Sequence, residues 1–156
     1  MEKKPLKRAA GLKPYSIDHH QGLLLCWKIR TGLKNNIAPA RIAAYVQWFY
    51  KNELLPHFEL EEKFVFPVLG LDDELVKQAL NEHKAISLLV EKGSREDSLL
   101  QLADSLERHI RFEERILFEE VQKCATPEEL AEIEKVHGSE KFVENTTDEF
   151  WNKLSV

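Results

Sequence analysis

The chain contains few of the residues that cross-link or interrupt a fold. Its two cysteines, Cys26 and Cys124, form no C-x-x-C pair, so no redox motif or cysteine-based zinc site is indicated, and both are expected to be buried free thiols. Glycine and proline number only six each. No apolar run reaches the length needed to cross a bilayer, and the charged N-terminus has no signal-peptide core. These absences predict a soluble, cytoplasmic protein.

The 27 acidic residues outnumber the 22 Lys and Arg residues. The formal net charge is -5, whereas nucleic-acid binding needs a basic face. The only basic cluster, Lys3 to Arg8, is expected to be part of a solvated N-terminal arm over residues 1–14. We therefore expect no nucleic-acid partner and no membrane partner, and nothing in the sequence identifies a protein partner.

What the chain does have is nearly continuous apolar periodicity of 3.6 residues, which predicts an all-α fold. Four long helices are expected, from about Ser16 to Leu33, Pro39 to Phe66, Asp72 to Gly93 and Glu96 to Cys124. A capping box at Thr126-Pro127-Glu128-Glu129 opens a fifth helix that runs to about Val136. Short connections favour an up-down-up-down four-helix bundle over 15–125, with an additional C-terminal helix and tail over 126–156 packing on it.

One ten-residue phrase occurs twice. HFELEEKFVF covers 57–66 and HIRFEERILF covers 109–118, with His, two Glu, a base and a final Phe at matching positions. Residues four apart lie about 40° apart on a helix, so His57 and Glu61 share a face, as do His109 and Glu113. Apolar residues continue both faces, including Phe64, Val65, Phe112, Ile116 and Leu117.

Such pairs also occur as ordinary i,i+4 partners on solvated helix faces, which is the competing interpretation. The matched context and the apolar stripe favour an inward site, because a buried carboxylate without a partner costs several kcal/mol. The other two long helices each add a histidine on an apolar stripe, His19 and His83. For the adjacent His20 the stripe is less apolar, so His19 is the one expected to point inward.

The resulting set suits two adjacent first-row metal ions, because carboxylates can bridge two ions and neutral imidazoles can fill terminal positions. The candidate ligands are His19, His57, Glu61, His83, His109 and Glu113. Asp18 and Glu82 are possible hydrogen-bond partners of ligands, although solvation is the simpler expectation for each. Glu62 and Glu114, one step round the helix, are expected to face solvent. Glu53 is a further possible ligand, but Pro56 disturbs its register and predicts a kink.

The spacing, the helix order and the phrases DHH, LPHFELEEKFVFP, NEHKAI and ERHIRFEERILF resemble the hemerythrin-like HHE cation-binding domains. The resemblance runs from about Tyr15 to Cys124. It implies a four-helix bundle holding a non-haem di-iron centre, that is, two iron ions with an oxo or hydroxo bridge. It also implies that the four inward histidines are ligands and that Glu61 and Glu113 are the bridging carboxylates.

The chain departs from the oxygen-carrying pattern at one position. Oxygen carriers have two histidines at i,i+4 on the third helix, whereas Ala79 and Ser87 flank His83 at that spacing. An open or water-filled coordination position is therefore expected. This leaves two functional hypotheses: a protein that binds oxygen, nitric oxide or iron for sensing, storage or scavenging, and an oxidase- or peroxidase-like enzyme acting on peroxide or oxygen, with Tyr50 as a possible proton or electron donor.

Two alternatives carry less weight. Ferritin-like bundles use Glu-x-x-His twice, but this chain has that spacing only at Glu134 and His137, outside the matched core, so His137 is expected at the surface. A metal-free bundle would need four inward histidines and two inward acids to satisfy one another completely.

Overall fold

The structure is a computed structural model that describes residues 7–152, and within that range it contains helices and no strand. The long helices are α1 (Lys13–Lys34), α2 (39–68), α3 (Glu74–Lys92), α4 (96–124) and α5 (Pro127–His137). The all-α prediction is confirmed. No helix in the described range has both the length and the apolar character needed to cross a membrane.

Side-chain caps mark the first residues of two helices, α3 and α5. The Asp73 carboxylate caps α3 by accepting hydrogen bonds from the backbone N–H groups of Leu75 and Val76. The predicted capping box of α5 is confirmed, with reciprocal bonds between Thr126 and Glu129. Ser16 does not cap α1, because the helix already begins at Lys13 after a short 3₁₀ turn, Ala10–Leu12. The Ser16 hydroxyl instead donates to the Glu114 carboxylate.

Helices α2 and α4 are interrupted by π-helical turns. In α2 these are Tyr50–Leu54 and Glu61–Val65, and in α4 the turn is Glu113–Leu117. The first precedes Pro56, where a widened turn relieves the clash that a proline ring makes with the carbonyl four residues back. The other two begin at Glu61 and Glu113, the glutamates that share a helix face with His57 and His109. The two copies of the repeated phrase therefore have the same backbone hydrogen bond: Phe66 N–H donates to Glu61 O, and Phe118 N–H donates to Glu113 O.

These π turns correct one predicted face. Ile116 was expected to point inward, but it is 48% exposed, while Leu117 and Phe118 are fully buried. A π turn inserts one extra residue, so the inward positions after Glu113 move one step along the chain.

Two apolar clusters make up the core. The first contains Ile29, Phe49, Ile86 and Leu102, and the second contains Tyr15, Phe66, Ala79, Leu117 and Val121. Helices α1 and α3 run from the second cluster to the first, and α2 and α4 run the opposite way. On each of these four helices the histidines lie at the boundary between the clusters.

The segments at both ends of the described chain pack on the helices. Arg8, expected in a solvated arm, donates to the Gln122 side chain and to the Glu114 carbonyl, and residues 1–6 of that arm lie outside the described range. The Phe150 ring is fully buried and meets Tyr45 edge-on. The thiols are free, but only Cys26 is buried; Cys124 is exposed, contrary to expectation.

Candidate metal centre

The six predicted ligands meet at the boundary between the two clusters. All six side chains are buried, whereas His20 is exposed, which agrees with the choice of His19. Two groups of four can each hold a metal ion, with ligand atoms within 4.8 Å of one another. One group is His19, His57, Glu61 and Glu113, and the other is His83, His109, Glu61 and Glu113. Each group therefore takes its two histidines from one helical hairpin, and both groups share the two carboxylates.

Short distances connect imidazoles and carboxylates within this cluster. His57 Nε2 lies 3.2 Å from Glu61 Oε1, and His109 Nε2 lies 3.4 Å from Glu113 Oε2. His83 Nε2 lies 3.3 Å from Glu61 Oε1, and His19 Nε2 lies 2.9 Å from Glu113 Oε1. Nitrogen and oxygen donors of both hairpins thus face one small volume.

Several of these inward atoms have no hydrogen-bond partner among the described residues. They are the Nε2 atoms of His57, His83 and His109, both carboxylate oxygens of Glu61, and Oε2 of Glu113. Buried polar atoms are nearly always hydrogen-bonded, and leaving one without a partner costs about 1–3 kcal/mol. Because these are metal-ligand atoms and converge in two groups, a cation in each group would give them partners.

The outer nitrogen of every inward histidine is bound to a carboxylate. The Nδ1–H groups donate over distances of 2.7–2.8 Å, and the pairs are His57 to Asp18, His19 to Glu114, His83 to Glu62 and His109 to Glu82. This pattern turns the Nε2 atoms toward the cluster, and it is the usual arrangement around histidine ligands of metals. In each case the carboxylate belongs to a different helix from the histidine.

These bonds correct the predicted solvation of four acids. Glu62 is partly exposed as expected, with 43% of its side chain accessible, but one oxygen is committed to His83. Glu114 is further buried and bonds to His19 and Ser16. Neighbours in sequence do diverge, and that divergence is why Asp18 contacts His57 rather than His19.

Two aromatic rings fix the orientation of imidazoles. Phe58 stacks on His83 with ring centroids 3.7 Å apart, and Phe118 stacks on His19 at 5.2 Å. The hydroxyl of Tyr50 donates to Ser87 Oγ, and the tyrosine beside the centre is Tyr15, whose ring centroid lies 5.9 Å from that of His57. The Tyr15 hydroxyl donates to the Ile133 carbonyl on α5.

His137 was expected at the surface, but its side chain is only 12% exposed. Its Nε2 atom lies 2.7 Å from Asp18 Oδ2, the same oxygen that accepts the bond from His57 Nδ1. Burial alone raises the pKa of Asp18, but the hydrogen bonds from His137 and His57 outweigh it and lower the pKa to about 2. The fifth helix therefore reaches the centre through Asp18.

Without a bound metal, the two buried glutamates of the cluster have pKa values shifted in opposite directions. Burial and the negative charge of Glu113 raise the pKa of Glu61. Burial also disfavours the Glu113 carboxylate, but His109 and His19 lower its pKa well below the ordinary value. Burial lowers the pKa of His109, yet the charge of Glu113 and the hydrogen bonds raise it to about 10. In the metal-free centre, Glu61 and His109 therefore bind protons that a metal would displace.

A cavity of about 620 Å³ adjoins the centre. Its lining includes His19, His57 and His109, and so touches histidines of both groups. Glu53 lines this cavity rather than joining either group of candidate ligands in the described residues.

Comparison with family models, curated proteins and solved structures finds no match for this chain. What the structure establishes about the site is a pair of buried His/Glu groups able to hold metal ions.

Proposed function

We propose that the protein is a non-haem di-iron protein of the hemerythrin-like type, built on an up-down-up-down four-helix bundle of α1–α4 with α5 docked on it. The observation that carries this proposal is the set of inward Nε2 and carboxylate atoms that lack hydrogen-bond partners. They form two groups, each with two histidines from one hairpin, and the two carboxylates belong to both groups. The alternating directions of α1–α4 between the two apolar clusters support the bundle.

In this proposal His19 and His57 would hold one iron, His83 and His109 would hold the other, and Glu61 and Glu113, which belong to both groups, would serve both ions. When bound, the iron pair would supply one-electron redox chemistry and a coordination position for oxygen, nitric oxide or peroxide. Four protein donors to each ion leave room for such a small ligand. The chain's own contribution is to orient the imidazoles through Asp18, Glu62, Glu82 and Glu114, and to place the pair between two apolar clusters.

Iron analysis of protein purified without chelators tests the proposal. We expect about two irons per chain, and we expect His57→Ala to lose most of the metal and to unfold at a lower temperature. The matched control is His20→Ala, since His20 is exposed on the helix that carries His19 and should keep its iron. Protein that takes up no iron even after anaerobic reconstitution with ferrous salt would refute the assignment.

The oxidase- or peroxidase-like alternative is favoured by the cavity, which is far larger than a diatomic ligand requires. Adding azide or peroxide to the iron-loaded protein and recording its near-ultraviolet and visible absorption tests for the open position. Turnover of a reducing substrate with peroxide, lost in Glu113→Ala, would favour the enzyme. A stable adduct without turnover would favour the binding protein.

A further inference from the structure

The cavity beside the centre has the size of an organic ligand site. Its volume is about 620 Å³, and pockets for organic ligands range over about 300–1,000 Å³. A water molecule occupies about 30 Å³ in the liquid, and a diatomic ligand is of similar size. The volume is therefore in excess of what oxygen or nitric oxide alone would need.

The interior wall of the cavity is largely apolar and partly aromatic. Among the lining side chains that give it this character are Phe49, Leu54, Phe58, Leu106, Ile110 and Phe142. An apolar wall of this kind favours the hydrocarbon body of a ligand, because its burial removes apolar surface from water. Aromatic faces also attract a nearby organic cation.

Histidines of the candidate metal centre form part of the cavity lining. His57 and His109 line it, both are at most 4% exposed, and the Nε2 atom of each has no hydrogen-bond partner in the described range. A ligand in the cavity therefore lies against histidines of both metal groups.

Three carboxylates lie along one part of the cavity lining. The carboxylates are Asp18, Glu53 and Glu140, and the basic groups are His137, Lys141 and the inward histidines, so the negative charge is concentrated around Glu53 rather than along the whole lining. After burial, the charges of Asp18 and Glu140 are the main factors that raise the pKa of Glu53, so the three carboxylates act on the same space. An anionic ligand would meet repulsion there, whereas a cationic one would be attracted.

We propose that this cavity binds a small organic amine, with its hydrocarbon body between the phenylalanine, leucine and isoleucine side chains and its ammonium group toward Glu53 and Glu140. The inference deepens the proposed function. It rests on that function only for the presence of an iron pair beside the ligand, because the cavity itself is formed by the chain. The inference is about binding only. It places an organic molecule beside the histidines of the proposed iron pair, on the side from which a small oxidant would approach.

Three probes that share one ring system test the charge preference: 1-naphthylmethylamine, 1-naphthalenemethanol and 1-naphthoate. Calorimetric titration of the metal-free and the iron-loaded protein should show the amine binding at least about tenfold more tightly than the carboxylate, with the alcohol between them. Amide chemical shifts should change around Phe49, Ile110 and Phe142. Equal affinity for amine and carboxylate, no binding of any probe, or shift changes elsewhere would overturn the proposal.

Two matched pairs of variants locate the effect. Glu53→Gln should weaken amine binding by about two- to fivefold and leave the alcohol unchanged, whereas Glu59→Gln on the same helix, away from the cavity, should change neither. Leu106→Phe should weaken amine and alcohol alike, and Leu102→Phe, buried on the same helix but outside the lining, is its control. If Leu106→Phe does not fold, the Glu53 pair still decides.

Iron analysis of the same samples separates this inference from the proposed function. Amine binding by a protein that takes up no iron would leave the cavity assignment standing and refute the metal assignment. Iron uptake without amine binding would do the reverse.

Discussion

Each inward histidine is held at both ends. Its Nδ1 atom donates to a carboxylate on a different helix, and its Nε2 atom faces the candidate metal positions. A carboxylate at Nδ1 fixes the ring orientation and increases the basicity of the imidazole as a ligand. The four acids outside the cluster therefore affect the candidate centre through the orientation and the basicity of its histidines.

Glu62 provides the sharpest test of that role, because it looks like a surface residue. We expect Glu62→Ala to weaken iron binding by about 10- to 100-fold, since His83 Nδ1 loses its acceptor. Competition against a chelator of known affinity measures the change. Glu59→Ala, also exposed on α2, is the control and should bind iron as the unmodified protein does. Equal losses in the two variants would contradict a specific role for Glu62.

At the scale of elements, the π turns decide which side chains reach the core. Apolar residues follow Glu61 and Glu113 at the third, fourth and fifth positions in both phrases. A uniform α-helix would bury the third and fourth, and the widened turn buries the fourth and fifth, Leu117 and Phe118 in α4. Phe118 then stacks on His19, so the turn also places an aromatic ring against the centre.

A matched pair of substitutions tests this register in solution. Leu117→Ala should lower the free energy of unfolding by about 2–5 kcal/mol, because it empties a fully buried position. Ile116→Ala should change it by no more than about 0.5 kcal/mol, because that side chain projects into solvent. Urea denaturation of the metal-free protein measures both. A loss at Ile116 as large as that at Leu117 would mean that α4 keeps its uniform α-helical register.

The all-α class, the extents of the long helices and the inward placement of the six candidate ligands could be predicted because each depends on local periodicity and capping. The partners of Asp18, Glu62, Glu82 and Glu114 could not, because every one lies on another helix and only the packed helices bring it near. His137 was missed for the same reason. Its spacing to Glu134 drew attention, but its contact with Asp18 depends on how α5 docks.

Across the whole molecule, a charged layer separates two apolar clusters. The six candidate ligands occupy this layer, and their four carboxylate partners surround it. Such a layer is costly when its groups lack partners, and a metal that binds only the folded chain would recover that cost as stability. The centre and the fold are therefore expected to stabilise each other, with the protons of the metal-free state competing against the metal.

The stability of the metal-free protein should consequently fall as the pH rises above neutrality. The pKa of His109 is raised from 6.5 to about 10, and the pKa values of His19, His83 and Glu61 are raised as well. Groups with raised pKa values stabilise the fold below their unfolded-state pKa, and this contribution is lost as the pH rises through the folded-state value, at up to about 1.4 kcal/mol per pH unit per group. The lowered pKa of Asp18, about 2, acts only in acid.

Thermal unfolding in chelator at pH 6, 7, 8 and 9 measures this slope. We expect the unfolding temperature to decrease over the series and to decrease less in Glu61→Gln, where a neutral amide replaces the carboxyl that the fold keeps protonated. Iron binding should release protons near pH 7 and tighten as the pH rises, since iron takes the place of protons on the Nε2 atoms. Calorimetric titration in two buffers of different ionisation enthalpy counts those protons. A metal-free protein that grows more stable from pH 6 to 9, or iron binding without proton release, would contradict the charge distribution derived for the centre.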